Sequence, residues 1–441
     1  MEPDAGSTPS TTGPDSPAPG RLAFLISQFP ETHETFILRE FLELKRLGFE
    51  LTIFSLKRCR DRIVHPAAAE FGAHTVYSPF FLSWALIADN IHVLCTRPVK
   101  LARSLLRIAR RHWSTPTSLL KTIAAVPIAL HYGCMMQRGG FTHVHVHWAN
   151  IPGTLGWLLH KVLGVSFSIT AHAFDIFLRN PMLEEKITAA EFVVTCTDYN
   201  KRFLKSIGGK RSNVYLNYHG IDLTKIPPPV RHRGEDRGRL SLLSVGRLKE
   251  QKGFPYLIEA CHRLDRAQVD FECVIVGDGP ERRTLERLID RCGLKRRVRL
   301  LGTKTQSEIF DLYRRADIFV LPCVIGQDND RDGIPNVIIE AYAMCLPVVS
   351  TSICAVPEIV RDEETGLLAR ERSVEDLLEK IRRLADDAAL RDRTGSAGRR
   401  WIEARFDIRR NVEELGALFR RRLASPTSTG ETLGTSEKVH G

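Results

Sequence analysis

The sequence predicts an α/β fold with two doubly wound domains, each built on a parallel sheet covered by helices. Short apolar segments of strand length alternate with helix-length segments through both halves of the 441-residue chain. Residues 225–239 are rich in proline and charge and have no periodicity, so they are the predicted linker. Ligands of such sheets bind at the carboxyl ends of the strands, and we therefore expect a cleft between the two domains.

The apolar segments divide into two sets of predicted strands. The first set is 22–26, 51–55, 144–148, 165–170, 192–195 and 214–217. The second set is 240–245, 271–276, 298–300, 318–321 and 348–350. The predicted domains are 21–224 and 240–400, with a terminal helix over 401–423. A lead (1–20) and a tail (424–441), both poor in apolar residues, are predicted to be disordered.

Composition favours a globular protein with anionic partners. Apolar residues make up 43% and charged residues 26% of the chain, and the net charge is +11. The basic residues are scattered without interleaved aromatics, which disfavours nucleic acid as a partner. The ten cysteines form no CxxC pair, and the first residues lack the features of a signal peptide. We expect a cytoplasmic protein with reduced thiols and no zinc site.

Three segments bear on membrane contact. The apolar segment 79–95 is interrupted by Asp89, Asn90 and His92, and 122–136 is too short to cross a bilayer, so neither is predicted to span. Segment 97–113 is a basic amphipathic helix without any acidic residue. Two interpretations stay open for this helix. It rests on an anionic membrane surface, the inner face of the cell membrane, or it packs on the sheet with a solvated cationic face.

Arg247 and Lys252 share one turn directly after the predicted strand 240–245. A guanidinium can bind a diphosphate through two parallel charge-assisted bonds, and a nearby ammonium adds a point charge. Gly246 and Gly253 would let the backbone approach the anion, and the following helix start offers unpaired N–H groups. Solvated loop cations are the ordinary alternative, but the pattern favours a diphosphate site.

Gly277 and Gly279 lie in a strand, turn and helix with the sequence VIVGDGPERRTL. They could bring backbone amides towards a phosphate or a nucleobase. The dinucleotide fingerprint needs a third glycine three residues further on, and that position is Arg282. A dehydrogenase is therefore disfavoured.

An acidic loop precedes a second predicted helix. Asp328, Asp330 and Asp332 match the opening of a calcium loop, but its twelfth position is Ile339 instead of glutamate. No helix precedes the loop, so we exclude calcium of that type. Asp332 could equally interact with the N-terminus of the helix that follows.

Glu340 lies inside this otherwise apolar helix, NVIIEAYAM, whose predicted first residue is Pro335. A carboxylate in such surroundings needs a partner. The paired hydroxyls of a ribose would provide one.

Histidines end two of the predicted strands. His172 could contact a sugar hydroxyl, with a hydrogen-bonded core histidine as the ordinary alternative. Alternation places His143, His145 and His147 on one face of a strand. No acid or cysteine nearby in the sequence completes a metal site, and we predict none. We expect His145 or His147 to border the cleft and His143 to face solvent.

The second half resembles glycosyltransferase family 4, whose members are retaining enzymes with the GT-B fold of two facing Rossmann-like domains. The resemblance runs from residue 244 to 368 and rests on five segments. They are SVGRLKEQKGF, VIVGDGP, VRLLGTKTQSEIFDLYRRADIFVLPC, DGIPNVIIEAYAMCLPVVST and VPEIVRDEETGLL. In the first half, FPETHETFILREF and HVHWAN resemble the subgroup that builds bacterial capsular polysaccharides and exopolysaccharides. Residues 31–35 stand where many members have two glycines.

The resemblance implies a role for each candidate site residue. Arg247 and Lys252 would hold the donor diphosphate, and Glu340 the ribose. Asp332 stands in place of the first glutamate of the family's acidic motif, and His172 stands where the family has a histidine beside the transferred sugar. The remaining candidates are the diphosphate-loop residues Gly333, Ile334 and Asn336 and the nucleotide-side glycines Gly277 and Gly279. The terminal helix is implied to cross back onto the first domain.

Together these observations predict a retaining hexosyltransferase of polysaccharide biosynthesis. Its donor would be a nucleotide-diphosphate sugar and its acceptor a glycan or lipid-linked saccharide. No cofactor or essential metal is expected. A sugar-nucleotide epimerase of the same architecture and a non-catalytic nucleotide-binding adaptor stay open as alternatives.

Overall fold

A computed structural model describes residues 20–31, 35–59, 66–78, 83–178, 180–226, 239–327 and 329–424. The predicted lead up to residue 19, most of the linker (227–238), Asp328 and the tail from 425 lie outside these ranges.

The described strands form two parallel sheets. The first has the order β3-β2-β1-β4-β5-β6-β7, and the second has the order β10-β9-β8-β11-β12-β13. The strands of the first sheet are β1 (Arg21–Phe29), β2 (Glu50–Arg58), β3 (Thr75–Tyr77), β4 (His143–His147), β5 (Ser166–Ala171), β6 (Val193–Thr195) and β7 (Val214–Leu216). Those of the second are β8 (Leu240–Val245), β9 (Phe271–Val276), β10 (Val298–Leu300), β11 (Ile318–Leu321), β12 (Val348–Thr351) and β13 (Gly366–Ala369). The predicted pair of doubly wound domains is confirmed.

Helices connect the strands on both faces of each sheet. In the first domain they are α1 (Thr35–Arg46), α2 (Trp84–Thr96), α3 (Pro98–Arg111), α4 (Pro116–Arg138), α5 (Ile151–Leu163), α6 (Ala173–Phe177), α7 (Leu183–Ala189) and α8 (Asp198–Gly208). After β8 they are α9 (Phe254–Arg266), α10 (Arg282–Arg291), α11 (Gln306–Arg315), α12 (Asn336–Ala343), α13 (Val356–Ile359), α14 (Val374–Asp386), α15 (Ala388–Arg405) and α16 (Ile408–Ala424). Short 3-10 helices cover Pro66–His74, Gly209–Arg211, Leu223–Lys225 and Glu250–Lys252.

Two strands, β3 and β13, were not predicted from the sequence. Both lie at the edge of a sheet, and they have three and four residues. Because β3 is only half-buried and β13 begins with glycine, neither has the long apolar run that marks the central strands. The eleven predicted strands all occur, with ends that move by a few residues.

The terminal helix is two helices instead of the single one predicted over 401–423. Phe406 ends α15 and is buried in the core of the second domain, whereas Ile408 begins α16 and packs in a cluster with first-domain residues. The Asp407 carboxylate between them accepts hydrogen bonds from the backbone N–H groups of Arg409 (2.8 Å) and Arg410 (3.2 Å). This cap starts a new helix, and α16 then packs against α1.

Helix α4 is longer than the sequence indicated. It begins at Pro116, so its 23 residues, with a mean hydropathy of 1.4 over the most apolar window, are long and apolar enough to cross a membrane. The prediction that this segment is too short was therefore wrong. In the fold α4 packs against α2 and α5, and 56% of that window is buried. Core helices of globular proteins have the same length and composition.

Candidate active site

The turn after β8 carries Arg247 and is packed against the turn after β9. The backbone N–H of Gly246 donates to the Val276 carbonyl at 2.9 Å. Gly277 has a φ of +135°, and a Cβ there would overlap the Gly246 carbonyl oxygen; a Cβ at Gly279 would overlap the Leu248 carbonyl. Both predicted nucleotide-side glycines therefore have a packing role in bringing the two turns together.

The Arg247 side chain is exposed beside these turns. With the residues that the structure describes, its guanidinium forms neither an ion pair nor a hydrogen bond. All its donors are therefore available to an anion at the carboxyl end of β8.

Lys252 pairs with Asp332 at the same end of the sheet. The Nζ atom of Lys252 lies 2.8 Å from Oδ2 of Asp332, and both side chains are mostly buried. Burial disfavours a charged lysine, yet the neighbouring acidic groups, Asp332 foremost, together outweigh it and raise the pKa of Lys252 above its ordinary value. Lys252 thus stays cationic, and Gly253 (φ +67°) turns the chain into α9 directly behind it.

The loop after Asp332 reaches the first domain. Arg331 Nη1 donates to the Tyr199 hydroxyl at 3.1 Å, and its guanidinium lies 4.6 Å from the Phe177 ring centre. A Cβ on Gly333 would lie 3.6 Å from Cγ2 of Thr197, so this predicted diphosphate-loop residue is next to α8. The loop therefore lies between the two domains. Its other two predicted site residues are the half-buried Ile334 and the exposed Asn336.

Helix α12 begins at Asn336, one residue later than predicted, with Pro335 as its N-cap. Glu340 in this helix is half-buried and accepts a hydrogen bond from the Tyr313 hydroxyl at 3.3 Å. Burial raises the pKa of Glu340 above its ordinary value, although Arg39 and Tyr313 act in the opposite direction. The tyrosine is thus the protein partner that this carboxylate requires.

A cavity of about 880 Å³ opens beside Glu340. Arg39 and Leu42 of α1 line it from the first domain, and Lys304 and Phe310 line it from the second. Because residues of both domains line it, the cavity is part of the interdomain cleft that was predicted from the sequence.

Glu358 forms a second bridge between the domains. Its carboxylate accepts hydrogen bonds from the backbone N–H groups of Asp198 (2.7 Å) and Tyr199 (2.8 Å) at the start of α8, and from the Tyr218 hydroxyl (3.0 Å). A carboxylate at a helix N-terminus is favourable for both the unpaired N–H groups and the helix dipole. Sequence reasoning gave Glu358 and Arg331 no role, although Glu358 lies in the segment VPEIV.

His172 lies in the first domain, at the end of β5. Its ring packs between Trp148, 4.4 Å between ring centres, and His219, 5.1 Å with nearly parallel planes. Both ring nitrogens are buried and have no hydrogen-bond partner among the described residues. Burial, reinforced by His219 and His147, holds the pKa of His172 well below its ordinary value, so the ring is neutral. A neutral imidazole with free nitrogens can donate to or accept from a hydroxyl.

Asp175 fixes the backbone around His172. One carboxylate oxygen accepts from the His172 backbone N–H at 2.6 Å, and the other accepts from the N–H of Ala149, just after β4. Burial raises the pKa of Asp175 to about 7. Lys186, also buried, has its pKa lowered to about 7 by burial, and its ammonium donates to Thr154 and Asn180. Sequence reasoning gave neither Asp175 nor Lys186 a role.

The three histidines of β4 are all buried, so the prediction that His143 faces solvent was wrong. Helix α16 covers this face of the sheet, with Phe419 5.0 Å from the ring centre of His145. His143 is hydrogen-bonded to Ser166 (2.9 Å) and Ser168 (2.7 Å). His147 lies next to His172, 6.5 Å between ring centres, and is itself inside the domain instead of bordering the cleft.

Glu40 is distant from β4 in the sequence, but it lies close to the rings of His145 and His147 in space. Its carboxylate is 3.0 Å from Nε2 of His147, and with His145 the two residues could hold a metal ion by distance alone. Both nitrogens of His145 are, however, hydrogen-bonded at 2.7 Å to the hydroxyls of Ser168 and Thr170. The ring is therefore already satisfied without an ion.

A comparison with known protein families points to the same part of the second domain as the site geometry. A family model described as glycosyl transferases group 1 matches residues 231–401, which include Arg247, Lys252, Asp332 and Glu340. Residues 231–401 are a group 1 glycosyltransferase domain, and the chain is a glycosyltransferase. The predicted resemblance and the predicted enzyme class are both confirmed.

Relatives of this glycosyltransferase cover nearly its whole length. The putative colanic acid biosynthesis glycosyltransferase WcaL of Escherichia coli (strain K12) is 26% identical over 375 residues, which are 82% of this chain and 89% of WcaL. The amylovoran biosynthesis glycosyltransferase AmsK of Erwinia amylovora is 27% identical over 419 residues, which are 91% of this chain and 99% of AmsK.

Solved structures share the fold of this glycosyltransferase. Anabaena HepE in complex with UDP superposes with a TM-score of 0.65 at 15% sequence identity, over 91% of this chain and all of the other. The GT-B arrangement that the sequence predicted is thereby confirmed.

Proposed function

We propose that this glycosyltransferase moves a hexose from a nucleotide-diphosphate sugar to a saccharide acceptor with retention at the anomeric carbon. One observation carries the proposal. The free guanidinium of Arg247 and the Lys252–Asp332 pair lie at the carboxyl ends of β8 and β11, on the side of the sheet from which loop 331–335 reaches the first domain. An anion and a hydroxyl-rich sugar would meet matching groups there.

The donor would extend from the second domain into the cleft. Its diphosphate would take the free donors of Arg247 and share the ammonium of Lys252. Asp332, freed in part from the lysine, would accept from sugar hydroxyls, and Glu340 would accept from the ribose. The cavity of about 880 Å³ beside Glu340 has the size of a small-molecule site. The UDP in the HepE complex supports a nucleotide as the ligand.

The proposed step needs no nucleophile from the protein. The bond between the anomeric carbon and the diphosphate oxygen breaks, and its electron pair stays on that oxygen. The acceptor oxygen bonds to the anomeric carbon on the same face, and its proton passes to the departing diphosphate. Arg247 and Lys252 stabilise the charge that develops on the leaving group, and His172 hydrogen-bonds the sugar. The reaction as proposed uses no metal or cofactor.

The names of the relatives support a place in exopolysaccharide biosynthesis. WcaL is named for colanic acid and AmsK for amylovoran. We infer that the acceptor here is a growing glycan, carried on a lipid at the cytoplasmic face of the membrane. The first domain would bind it, beside His172.

Titration of candidate nucleotide sugars against Arg247→Ala tests the proposal. Loss of the guanidinium removes a charge-assisted bond of about 1.5–3 kcal/mol, so donor affinity should fall roughly ten- to hundredfold or more. Arg283→Ala, an exposed arginine on α10, is the matched control and should bind like the wild type. Equal donor affinity in the wild type and Arg247→Ala would contradict the site.

A further inference from the structure

Large hydrophobic side chains are exposed mainly in one segment of the first domain. Of the eleven such side chains in the described part of the chain, eight lie on α2, α3, α4 or the residues that join them. They are Trp84, Ile91, Leu94, Val99, Leu106, Trp113, Leu120 and Ile123. Trp84 and Trp113 are 82% and 87% exposed, values that are unusual for the largest apolar side chain.

These side chains repeat at helical spacing. Trp84 and Ile91 are seven residues apart on α2, and Val99 and Leu106 are seven apart on α3, so each pair shares one face of its helix. Helix α2 contacts both α3 and α4. The three helices are therefore neighbours, and we name their exposed apolar residues the α2–α4 surface, defined by the eight residues above.

The same segment has free positive charge and no exposed negative charge. Between residues 83 and 138 the one acidic residue is Asp89, which is buried and paired with Arg138 and His131. Five exposed basic residues lie in the same segment as these apolar residues. They form no ion pair with any residue that the structure describes. They are Arg97, Lys100, Arg103, Arg110 and Lys121.

Not every arginine of α3 belongs to this free set. Arg107 and Arg111 bind Glu185 of α7 at 2.9 and 2.5 Å, so they connect α3 to the interior of the domain. Arg103 and Arg110 lie four and eleven residues after Val99 and thus share its face. The basic helix predicted from the sequence therefore has two kinds of arginine. One kind forms ion pairs within the domain, and the other lies on the same face as exposed apolar residues.

We propose that the α2–α4 surface lies on an anionic lipid bilayer. The two indoles and the aliphatic side chains would enter the interfacial region, where amphipathic rings are favoured, and the free cations would meet the headgroups. A second copy of this chain fits the charge less well, because a symmetric contact would place cations against cations. The proposal extends the lipid-linked acceptor of the proposed function by naming the surface that faces the membrane.

Sedimentation of the full chain with vesicles tests this surface without any transfer reaction. Vesicles of phosphatidylcholine mixed with phosphatidylglycerol should bind the protein, and vesicles of phosphatidylcholine alone should bind it far less. Trp84→Ala with Trp113→Ala should weaken binding at least about tenfold. Trp84→Phe with Trp113→Phe should restore most of it. All four changes are at exposed positions, so the melting temperature should stay that of the wild type.

Charge is tested separately. Arg103→Gln with Arg110→Gln should weaken binding to the anionic vesicles about thirtyfold, since each cation near such a surface contributes about fivefold. Arg283→Gln with Arg287→Gln, exposed on α10 of the second domain, is the matched control and should bind like the wild type.

Two results would overturn the inference. One is equal binding of the wild type and the Trp84→Ala, Trp113→Ala protein to anionic vesicles. The other is a stable dimer in light scattering that the same pair of substitutions makes monomeric, which would assign the surface to a second copy of the chain. Because no sugar donor is present, neither result would bear on the transferase reaction, and loss of donor binding in Arg247→Ala would not bear on the membrane surface.

Discussion

The two domains share a fold but differ in what they bury. Among the described residues, the second domain (240–400) has no fully buried ionisable side chain apart from cysteine and tyrosine, since even Lys252 and Asp332 stay partly exposed. Its fully buried polar groups are the hydroxyls of Ser244, Ser350, Thr351, Thr365 and Thr394. The first domain buries acids, a lysine and several histidines, among them Glu40, His143, His145, Asp175 and Lys186. The second domain has charged site residues at the ends of its strands and an apolar core beneath them. The other half carries titratable groups inside.

This difference has an energetic consequence. A buried polar network is stable only when each member has a partner, and removal of one member leaves a costly unpaired group. We therefore expect the first domain to be sensitive to single substitutions of buried polar residues and to pH. The second domain should lose function before it loses stability.

The largest expected effect is on Lys186. Replacement by Met should lower the free energy of unfolding by about 2–3 kcal/mol, because it leaves the side-chain oxygens of Thr154 and Asn180 without the ammonium that donates to them. Urea unfolding measures the change. Lys205→Met, at an exposed position of α8, is the control and should change stability little. A Lys186→Met protein as stable as the wild type would break the distinction between the two interiors.

The next effect is on the pH dependence of stability. Burial lowers the pKa of His143 from 6.5 to about 3, so the unfolded chain binds a proton that the folded chain does not as the pH falls below 6.5. The contribution of the neutral His143 to the free energy of unfolding is complete above pH 6.5 and is lost as the pH falls towards 3. At pH 5 the free energy of unfolding has fallen by about 2 kcal/mol for this reason. His143→Gln should remove that part of the decline between pH 7.5 and pH 5.

Urea unfolding of the wild type and His143→Gln at both pH values gives the comparison. His92→Gln, an exposed residue of α2, should keep the full decline of the wild type. If His143→Gln declines as steeply as the wild type, the buried imidazole is not responsible for the acid sensitivity.

The smallest expected effect on stability is at Glu340 in the second domain. Burial raises the pKa of this carboxylate, so Glu340→Gln should leave the free energy of unfolding unchanged or raise it by up to about 1 kcal/mol. Donor affinity should nevertheless fall roughly ten- to hundredfold, because a charged acceptor for the ribose hydroxyls is lost. Unfolding and donor titration on one preparation measure both. Glu286→Gln on α10 should change neither, and a stability loss without a change in donor affinity would make Glu340 a structural residue.

The sequence was most informative in the second domain. The strand-end positions of Arg247, Lys252, Asp332 and Glu340 follow from local patterns of apolar runs and turns, which need no knowledge of distant residues. In the first domain the same reasoning misplaced His143, because its neighbours lie far along the chain. Phe192 stacks on its ring, 5.9 Å between ring centres, and Arg422 of α16 donates to Ser166, to which His143 is also hydrogen-bonded. Glu40 and His147 are likewise far apart in the chain and adjacent in space.

By itself, the sequence determined the two parallel sheets, the division between them and the set of charged residues at the ends of the second sheet's strands. These features are local, since alternation of apolar runs and turn residues sets where strands end. The tertiary structure alone decided that α16 closes over the histidines of β4, that Glu358 and Arg331 join the domains, and that α2, α3 and α4 leave apolar faces exposed. Each of these depends on which distant surfaces meet. No local pattern records that, because burial is a property of the packed chain.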